Sequence, residues 1–400
     1  MTLKENIEQL SRRKFISGSA SALALAPMAP LALGHLDVPA SMAAAQARKI
    51  ITRKLGKTGI EVPIVSMGVM NADNPAVVKE SYEIGVRFFD TAAGYQMGRN
   101  EEMVGKVIKE LGARKKVYIQ TKIHKPRLDS ADAVAKQMLS DFDKCLQRLQ
   151  MDYVDILLVH GPSVAEMNEP GVKQAMAEVK KLKKAHHIGV STHMDHANVI
   201  LDAAKGGFYE AVTVAYNFTQ AQDTALLDAI KKAHAAGVGI IAMKTQASGR
   251  RGPNAPEGPA VNQTAALKWV LNHKEIATAI PGYTNFDHMK EDFSVAYGLD
   301  YTDVEKKFLS EKNLVASVQF CQQCSNCRET CPKGVDVPTL MRTHMYAAKY
   351  GNFVHARATL DGIAATASLR NCSDCSECEA KCAHHVGIAE NIRDLKSMYL

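Results

Sequence analysis

The chain has no long hydrophobic run and no concentration of charge of one sign. It contains no stretch of about 20 uninterrupted apolar residues, the length that a membrane-spanning helix requires. Lysines and arginines are scattered among acidic residues, and the densest run, residues 180–184, ends a predicted helix, where cations complement the helix dipole. The formal net charge is a modest +7. The sequence therefore predicts neither a spanning segment in the mature chain nor a nucleic-acid partner.

Length and composition are those of a globular protein with more than one domain. Apolar residues make up 46% of the chain and charged residues 23%, which is ordinary for folded domains. Four hundred residues exceed one ordinary domain, and they suit a barrel of about 250 residues with additions at each end.

Eight of the nine cysteines lie near the C-terminus in two blocks of the same spacing, C-x-x-C-x-x-C-x-x-x-C. The blocks are Cys321, Cys324, Cys327 and Cys331, then Cys372, Cys375, Cys378 and Cys382. Three such thiolates can bind three corners of a cubane, and the fourth usually binds the other cluster. The spacing predicts two 4Fe-4S clusters. Zinc sites and a disulfide framework are the alternatives, although zinc prefers C-x-x-C pairs set well apart.

The first 45 residues resemble an export signal. Residues 11–16, Ser-Arg-Arg-Lys-Phe-Ile, resemble the twin-arginine motif, and a mildly apolar stretch and small residues at 43–45 follow it. The twin-arginine route carries folded proteins, which suits a protein that receives iron–sulfur clusters in the reducing cytosol. We expect a protein that is periplasmic or otherwise exported. The alternative is a disordered basic tail.

Alternating strand and helix patterns between residues 51 and 300 predict a (β/α)₈ TIM barrel. The predicted strands are 62–69, 86–91, 117–123, 154–160, 188–193, 211–217, 239–245 and 278–283. Amphipathic helical patterns fill the gaps, among them 132–149, 171–185, 223–236 and 264–272. Eight units in a row favour a barrel over an open doubly wound sheet. No G-x-G-x-x-G follows the first strand, as it would in a Rossmann domain.

The barrel is predicted to have an extension at each end. Residues 1–45 form the signal, residues 51–300 the barrel and residues 301–318 a linking helix. Residues 319–400 show helical patterning between the cysteine blocks instead of the strands of a compact bacterial ferredoxin. We therefore expect an α-helical two-cluster ferredoxin-like domain after the barrel.

Four polar residues lie at the C-terminal ends of consecutive predicted strands, which converge on one mouth of a barrel. Asp90 and Tyr95 follow the second strand, Lys122 ends the third and His160 ends the fourth. With their surroundings, they resemble the catalytic tetrad of the aldo-keto reductases, and the resemblance covers about residues 51–300. The cysteine tail resembles that of iron–sulfur-bearing members of the same family.

The resemblance implies hydride transfer between a nicotinamide cofactor, NADP or NAD, and a small carbonyl or alcohol substrate. Tyr95 would donate the proton, although a phenol is a poor acid at neutral pH until a cation stabilises its phenolate. Lys122 would supply that cation and Asp90 would hold it. His160 would orient the carbonyl oxygen and help to stabilise the developing charge.

The resemblance also implies a cofactor site, in which this chain departs from the family pattern. Ser191 and Thr192 stand where members usually have a Ser-Asn pair, and Thr213 stands in place of a glutamine. Tyr216 is available to stack on the nicotinamide ring, and His288 replaces an arginine for the 2′-phosphate. The preference between NADPH and NADH stays open. The predicted cofactor-binding residues are Ser191, Thr192, Thr213, Tyr216, Lys244, Arg250, Thr284, Asn285 and His288.

Three functions are compatible with these patterns. The first is an exported oxidoreductase whose clusters exchange electrons with an electron-transfer protein or a quinone-linked partner. The second is the same reductase with clusters that are only structural. The third is a nucleotide- or partner-binding subunit of a redox complex with little turnover, which the altered amide-binding positions favour and the intact tetrad disfavours.

Overall fold

The structure is a computed structural model that describes residues 49–247, 261–372 and 378–400. The described residues all belong to one compact unit, Lys49–Leu400. The predicted export signal at residues 1–45 lies outside the described residues.

Eight parallel strands form a barrel, and a short antiparallel hairpin precedes them. The hairpin strands are β1 (Thr52–Lys54) and β2 (Glu61–Pro63). The barrel strands are β3 (Met67–Gly68), β4 (Phe88–Asp90), β5 (Tyr118–Ile123), β6 (Val154–His160), β7 (Ala185–Thr192), β8 (Ala211–Ala215), β9 (Gly239–Met243) and β10 (Ile276–Ala279). Each barrel strand pairs with the next, and Ser66 N donates to Ala279 O at 2.8 Å, which joins the two edges. The predicted (β/α)₈ barrel is confirmed.

The run at residues 62–69, predicted as one strand, contains two. β2 ends at Pro63, and β3 begins at Met67. The chain changes its pairing partner between them, because β2 pairs antiparallel with β1 whereas β3 pairs parallel with β4. Strand propensity depends on the side chain and its packing, so a continuous β-branched run does not reveal where the partner changes.

Nine helices in the described residues surround the barrel, and local sequence signals fix their ends. They are α1 (Pro75–Ile84), α2 (Arg99–Glu110), α3 (Ala131–Leu149), α4 (Val164–Met167), α5 (Pro170–Lys181), α6 (His196–Ala203), α7 (Thr224–Ala235), α8 (Gln263–Leu271) and α9 (Phe286–Ser294). The Ser130 side chain caps α3 by accepting from Ala133 N, and Gln150 ends it in the left-handed region. Asn74 caps α1, whose first residue is Pro75.

The core has two layers because strand side chains alternate between the inside and the outside of the barrel. The inner layer contains Ile156 and Leu158 of β6, and Leu55 of the hairpin fills the end of the barrel. The outer layer contains Leu157 and Val159 of the same strand, which pack under the helices. This alternation decides which residues of a strand can reach the interior.

The linking helix predicted over residues 301–318 is not a single helix, because the segment forms two helices. These are α10 (Asp303–Leu309) and α11 (Leu314–Val318), and a polar turn separates them. Phe308 of α10 and Leu314 of α11 are both buried in one apolar cluster. The turn allows both helices to place an apolar side chain in that cluster, which one straight helix would not do.

The cysteine-bearing tail is helical in its described residues, as expected. Its helices are α12 (Val337–His344), α13 (Phe353–Asp361) and α14 (Ile388–Tyr399), and a π-helical turn, Met345–Lys349, extends α12. No helix in the described part of the chain is long and apolar enough to cross a membrane.

The tail packs against the barrel through a shared apolar cluster and through polar contacts. Met345 and Tyr346 of the tail and Phe218 of the barrel belong to the same cluster. Gln322 Nε2 donates to Thr219 O at 2.7 Å, and Asn352 Nδ2 donates to Asn71 Oδ1 at 2.8 Å. These barrel residues follow the C-terminal ends of strands, so the tail covers the mouth of the barrel.

Candidate active site

Three of the four tetrad residues converge on one buried ammonium group. Lys122 Nζ lies 2.7 Å from Asp90 Oδ1 and 2.8 Å from Asp90 Oδ2. It also donates to Thr91 O at 2.8 Å and to Tyr95 Oη at 3.2 Å. The Lys122 side chain is 1% exposed, so these contacts replace its hydration. Burial lowers the pKa of Lys122, and the Asp90 carboxylate opposes that shift.

A strained turn directs Tyr95 into the mouth. Tyr95 begins a short 3₁₀ segment after β4, and the next two residues, Gln96 and Met97, have φ of 50° and 57°. Non-glycine residues in the left-handed region cost about 1 kcal/mol or more each, so the surrounding structure must hold them there. Gln96 Nε2 donates to Met70 O at 3.4 Å. Burial and the Asp90 charge raise the pKa of Tyr95 well above its ordinary value.

His160 lies beside the Tyr95 ring at the end of β6. The ring centroids are 6.0 Å apart with an edge-on geometry, and His124 stacks on His160 at 4.3 Å. Burial and the neighbouring His124 and Lys122 lower the pKa of His160 well below its usual value. A neutral imidazole at this position can donate a hydrogen bond to a substrate oxygen without adding a charge.

Gln120 is a supporting residue that the sequence patterns did not indicate. Its Nε2 donates to Asp90 Oδ1 at 2.5 Å and to Thr213 Oγ1 at 3.1 Å. Gln120 is two residues before Lys122 on β5, so both side chains point into the barrel. The period of two along this strand was the signal that could have identified it.

A cleft of 360 Å³ opens beside the tetrad. Asp90 and Tyr95 line it, together with four of the predicted residues: Lys244, Thr284, Asn285 and His288. The cleft also holds residues that the prediction missed, namely His193, Met243, Tyr346 and Tyr350. Arg250 lies outside the described residues.

The other predicted cofactor residues do not line this cleft, for reasons of strand geometry. Thr213 points into the barrel towards Gln120, and Tyr216, an odd number of residues later, points out towards Trp269 at 5.1 Å. Ser191 Oγ accepts from Gly161 N at 3.2 Å, and Thr192 Oγ1 donates to Met194 O at 2.9 Å. These two hydroxyl groups hold the loops at the mouth.

Lys244 is the cationic group of the cleft. It has φ of 54°, and its Nζ donates to His193 Nδ1 at 3.2 Å. Burial, Arg342 and Lys122 lower the pKa of Lys244 to about 7. A nicotinamide nucleotide bound in this cleft would have the Lys244 ammonium available for its anionic groups, and Gly282, with no side chain, leaves room in the wall.

A second cavity, of 700 Å³, lies between the barrel mouth and the tail. The barrel contributes His160 and Gly94, and the tail contributes Arg342 and His355. His355 packs edge-on against the Tyr95 ring at 5.4 Å. Tyr346 borders this cavity and the cofactor cleft, so the tetrad lies where the two spaces meet.

The first three cysteines of the first block share a cavity with the last cysteine of the second. Cys321, Cys324, Cys327 and Cys382 line it. This arrangement agrees with the exchange of the fourth ligand that the spacing predicts, and these four thiols would be the ligands of one 4Fe-4S cluster. None of the described cysteines forms a disulfide. Of the remaining predicted ligands, Cys331, Cys372 and Cys378 are described and Cys375 is not.

Two family models match the chain. Residues 66–264 match the Aldo/keto reductase family, and residues 320–386 match a 4Fe-4S dicluster domain. The chain carries an aldo/keto reductase domain. It is an oxidoreductase of that type, NAD(P)-dependent, as the sequence predicted. The 4Fe-4S model spans both cysteine blocks.

Individual relatives agree with these matches. An L-galactose dehydrogenase of Arabidopsis thaliana is 28% identical over 300 residues, which cover 66% of this chain and 93% of that protein. A glyoxal reductase of Bacillus subtilis is 35% identical over 143 residues, which cover 34% of this chain and 48% of that protein.

Solved aldo-keto reductases share the barrel. The holo form of one from Bacillus halodurans superposes with a TM-score of 0.53 at 22% identity, covering 65% of this chain and 95% of that one. One from Klebsiella pneumoniae in complex with NADPH superposes with a TM-score of 0.52 at 21% identity, covering 65% of this chain and 94% of that one. At these identities the likeness shows the fold alone.

Proposed function

We propose that the protein is an exported oxidoreductase that interconverts a carbonyl and an alcohol, and that its clusters pass electrons to or from a partner. The observation that carries the redox assignment is the contact of Lys122 with both Asp90 and Tyr95 at the mouth of the barrel. The partner would be an electron-transfer protein or a quinone-linked protein.

The tetrad can perform the proton half of this reaction. A bound nicotinamide, NADP or NAD, would supply or accept the hydride at carbon. In the reducing direction, the oxygen gains a proton from Tyr95, and the Lys122 ammonium stabilises the resulting phenolate. The neutral His160 ring donates a hydrogen bond to the same oxygen. In the oxidising direction, the phenolate takes the proton back.

The position of the first cluster cavity supports an exchange of electrons. Cys321 follows Phe320, which packs in one apolar cluster with Tyr346 of the cleft wall. Lys349 Nζ donates to Val318 O at 3.0 Å and holds this wall to the segment before Cys321. The helical turn that carries Tyr346 of the cleft wall therefore contacts the segment that leads into the first cysteine block. Oxidation of one bound nucleotide would release two electrons and one proton; two clusters would take one electron each, and the proton would pass to solvent.

Export would explain why a hydride enzyme carries clusters. Soluble NADPH is not expected outside the cytosol, so a nucleotide loaded before export would have to be recycled in place. The twin-arginine resemblance at residues 11–16 supports this location, and the clusters supply a route for the electrons.

The decisive experiment is anaerobic reduction of the intact holoenzyme. NADPH or NADH added without a carbonyl compound should bleach the visible absorbance of the clusters. The Cys145→Ala variant is the matched control, because Cys145 is buried in α3 and far in sequence from both blocks. Clusters that stay oxidised through many turnovers would contradict the exchange and favour a structural function for them.

A binding subunit with little turnover is the second candidate. It is favoured by the placement of Ser191, Thr192 and Thr213, whose side chains do not line the cleft. Tight nucleotide binding together with no turnover of any aldehyde, ketone or alcohol by the loaded protein would decide for this candidate.

A further inference from the structure

The cavity between the mouth and the tail is lined by one more cationic side chain than carboxylates. Its cationic side chains are Lys125, Arg127 and Arg342, and its carboxylates are Glu166 and Asp336. Four histidines also line it. A partly enclosed space with cations at its wall focuses a positive potential, because the protein around it screens charge less than water does.

All but one of these charged groups already have partners. Lys125 lies 3.0 Å from Glu169, and Arg127 donates to a backbone carbonyl of the tail, Gly362 O. Glu166 Oε2 accepts from Ser163 in a capping box, and Asp336 Oδ1 caps α12. Arg342, by contrast, forms no side-chain hydrogen bond or ion pair with any described residue.

The imidazole groups supply neutral hydrogen-bonding atoms and little charge. His160 Nδ1 and His355 Nδ1 are buried and have no partner among the described residues. Burial, Lys244 and Arg342 lower the pKa of His355 to about 3, so its ring is neutral at physiological pH. Arg342 is therefore the charged side chain of this cavity, among the described residues, whose hydrogen-bond donors are free to bind a ligand.

We propose that Arg342 binds a carboxylate of the substrate, so that the protein acts on hydroxy acids or the corresponding oxo acids. A guanidinium can hold a carboxylate through two parallel hydrogen bonds, which fix its orientation as well as its position. The acid group binds to the tail, and the reacting carbon lies at Tyr95 and His160. This assignment of the substrate class rests on the proposed reductase function.

Two aldehydes that differ in the charge of one substituent test the proposal with the holoenzyme. We expect 4-carboxybenzaldehyde to be preferred over its methyl ester in kcat/KM. In Arg342→Gln, that preference should fall about 10- to 100-fold, the size expected for a lost charge-assisted pair. Lys125→Gln is the matched control, because Lys125 lines the same cavity but is paired with Glu169. It should keep the preference of the parent protein.

Calorimetric binding of benzoate, which accepts no hydride, separates this proposal from the proposed function. The parent protein could bind benzoate, lose that binding in Arg342→Gln, and yet reduce neither aldehyde. That outcome would refute the proposed reductase function and support the anion site. Reduction of both aldehydes without preference would refute the anion site and leave the reductase. Inorganic phosphate that displaces benzoate at equal concentration would overturn the choice of a carboxylate.

A folding defect would not hide the answer. The visible cluster spectrum and the melting temperature report whether Arg342→Gln is intact. If it is not, Arg342→Lys keeps the charge but loses the planar fork, so it should weaken the preference for the acid by a smaller factor. An unchanged preference in an intact Arg342→Lys protein, with benzoate bound as in the parent, would count against the bidentate contact that is proposed.

Discussion

At the scale of single residues, the reactivity of the site depends on how completely the Lys122 ammonium is bound. Its three protons face Asp90, the Thr91 carbonyl and the Tyr95 hydroxyl, so none is left for water. A phenol that has lost its proton would find this cation 3.2 Å away. The carboxylate thus fixes the position of the ammonium, and the ammonium offsets part of the cost of forming a phenolate that burial and the Asp90 charge impose.

Replacing Tyr95 by phenylalanine should lower kcat for carbonyl reduction by about 100- to 10,000-fold, because it removes the proton donor and little else. Nucleotide affinity should change little. The control is Tyr82→Phe on α1, which removes a phenol far from the mouth and should leave kcat as it was. Steady-state rates and equilibrium titration with NADPH measure both quantities. Full turnover in Tyr95→Phe would remove the tetrad from the mechanism.

Nucleotide affinity should depend on pH through Lys244. Its pKa of about 7 means that the ammonium loses its proton as the pH rises through neutrality, and the attraction for an anionic nucleotide is lost with it. The dissociation constant should therefore rise between about pH 6 and pH 9. Lys244→Gln should bind more weakly and with less dependence on pH, whereas the exposed Lys181→Gln should follow the parent protein. If the dissociation constant of Lys244→Gln changed with pH as much as that of the parent protein, another group would be responsible for the pH dependence.

At the scale of elements, the barrel depends on the close approach of neighbouring strands. A Cβ added at Gly189 of β7 would lie 2.1 Å from Ala211 O of β8, which is backbone and cannot move aside alone. Gly189→Ala should therefore lower the free energy of unfolding by about 1–3 kcal/mol. Gly298, with no atom near its added Cβ, provides the control substitution to alanine. Anaerobic urea unfolding compares the two, and equal stabilities would show that the strands can separate without cost.

Much of the fold could be predicted, because strands and helices of the barrel differ in the spacing of their apolar residues. The strand over residues 154–160 coincides with β6, and the helix over 132–149 begins one residue late. The break between α10 and α11 could not be predicted, because it depends on where Phe308 and Leu314 meet the barrel. Local sequence patterns reflect the propensity to form a helix, whereas the position of this break depends on a tertiary contact.

The site could be predicted only in part for the same reason. The ends of consecutive strands identified Lys122 and Asp90, which the structure brings within hydrogen-bonding distance. Tyr216, the residue after β8, was assigned to the cofactor without counting residues from Thr213, and it faces outwards. Arg342 and His355 lie more than 180 residues beyond His160 in the chain, and no spacing in the sequence connects them with the mouth.

If the fourth cysteine of each block binds the cluster of the other block, this exchange predicts which cysteine variants lose the same cluster. Cys382→Ser should lose the same cluster as Cys321→Ser, although Cys382 belongs to the other block, because both line one cavity. Cys331→Ser should remove the other cluster. Each variant should retain about four of eight irons. Iron analysis and electron paramagnetic resonance distinguish the two clusters, and a shared signal loss in Cys382→Ser and Cys378→Ser would contradict the exchange.

At the scale of the whole molecule, the proposed export from the cytoplasm can be tested by substitutions that leave the barrel unchanged. Changing Arg12 and Arg13 together to lysine should retain the precursor in the cytoplasm, because the export receptor distinguishes the guanidinium pair from ammonium groups. Lys4→Arg, outside the motif, is the control. Cell fractionation followed by immunodetection measures the outcome, and normal export of the double variant would refute the proposed location.

The position of the tail over the mouth has a consequence for how the protein matures. The groups that complete the mouth, Arg342, Tyr346 and His355, belong to a segment between two cysteine blocks, and such a segment gains folding free energy from its metal. In an iron-poor cell, a newly made chain would fold its barrel, but the tail residues that complete the mouth of the barrel would not be in place. Iron supply would then govern how much of this protein can work, before any nucleotide or substrate is present.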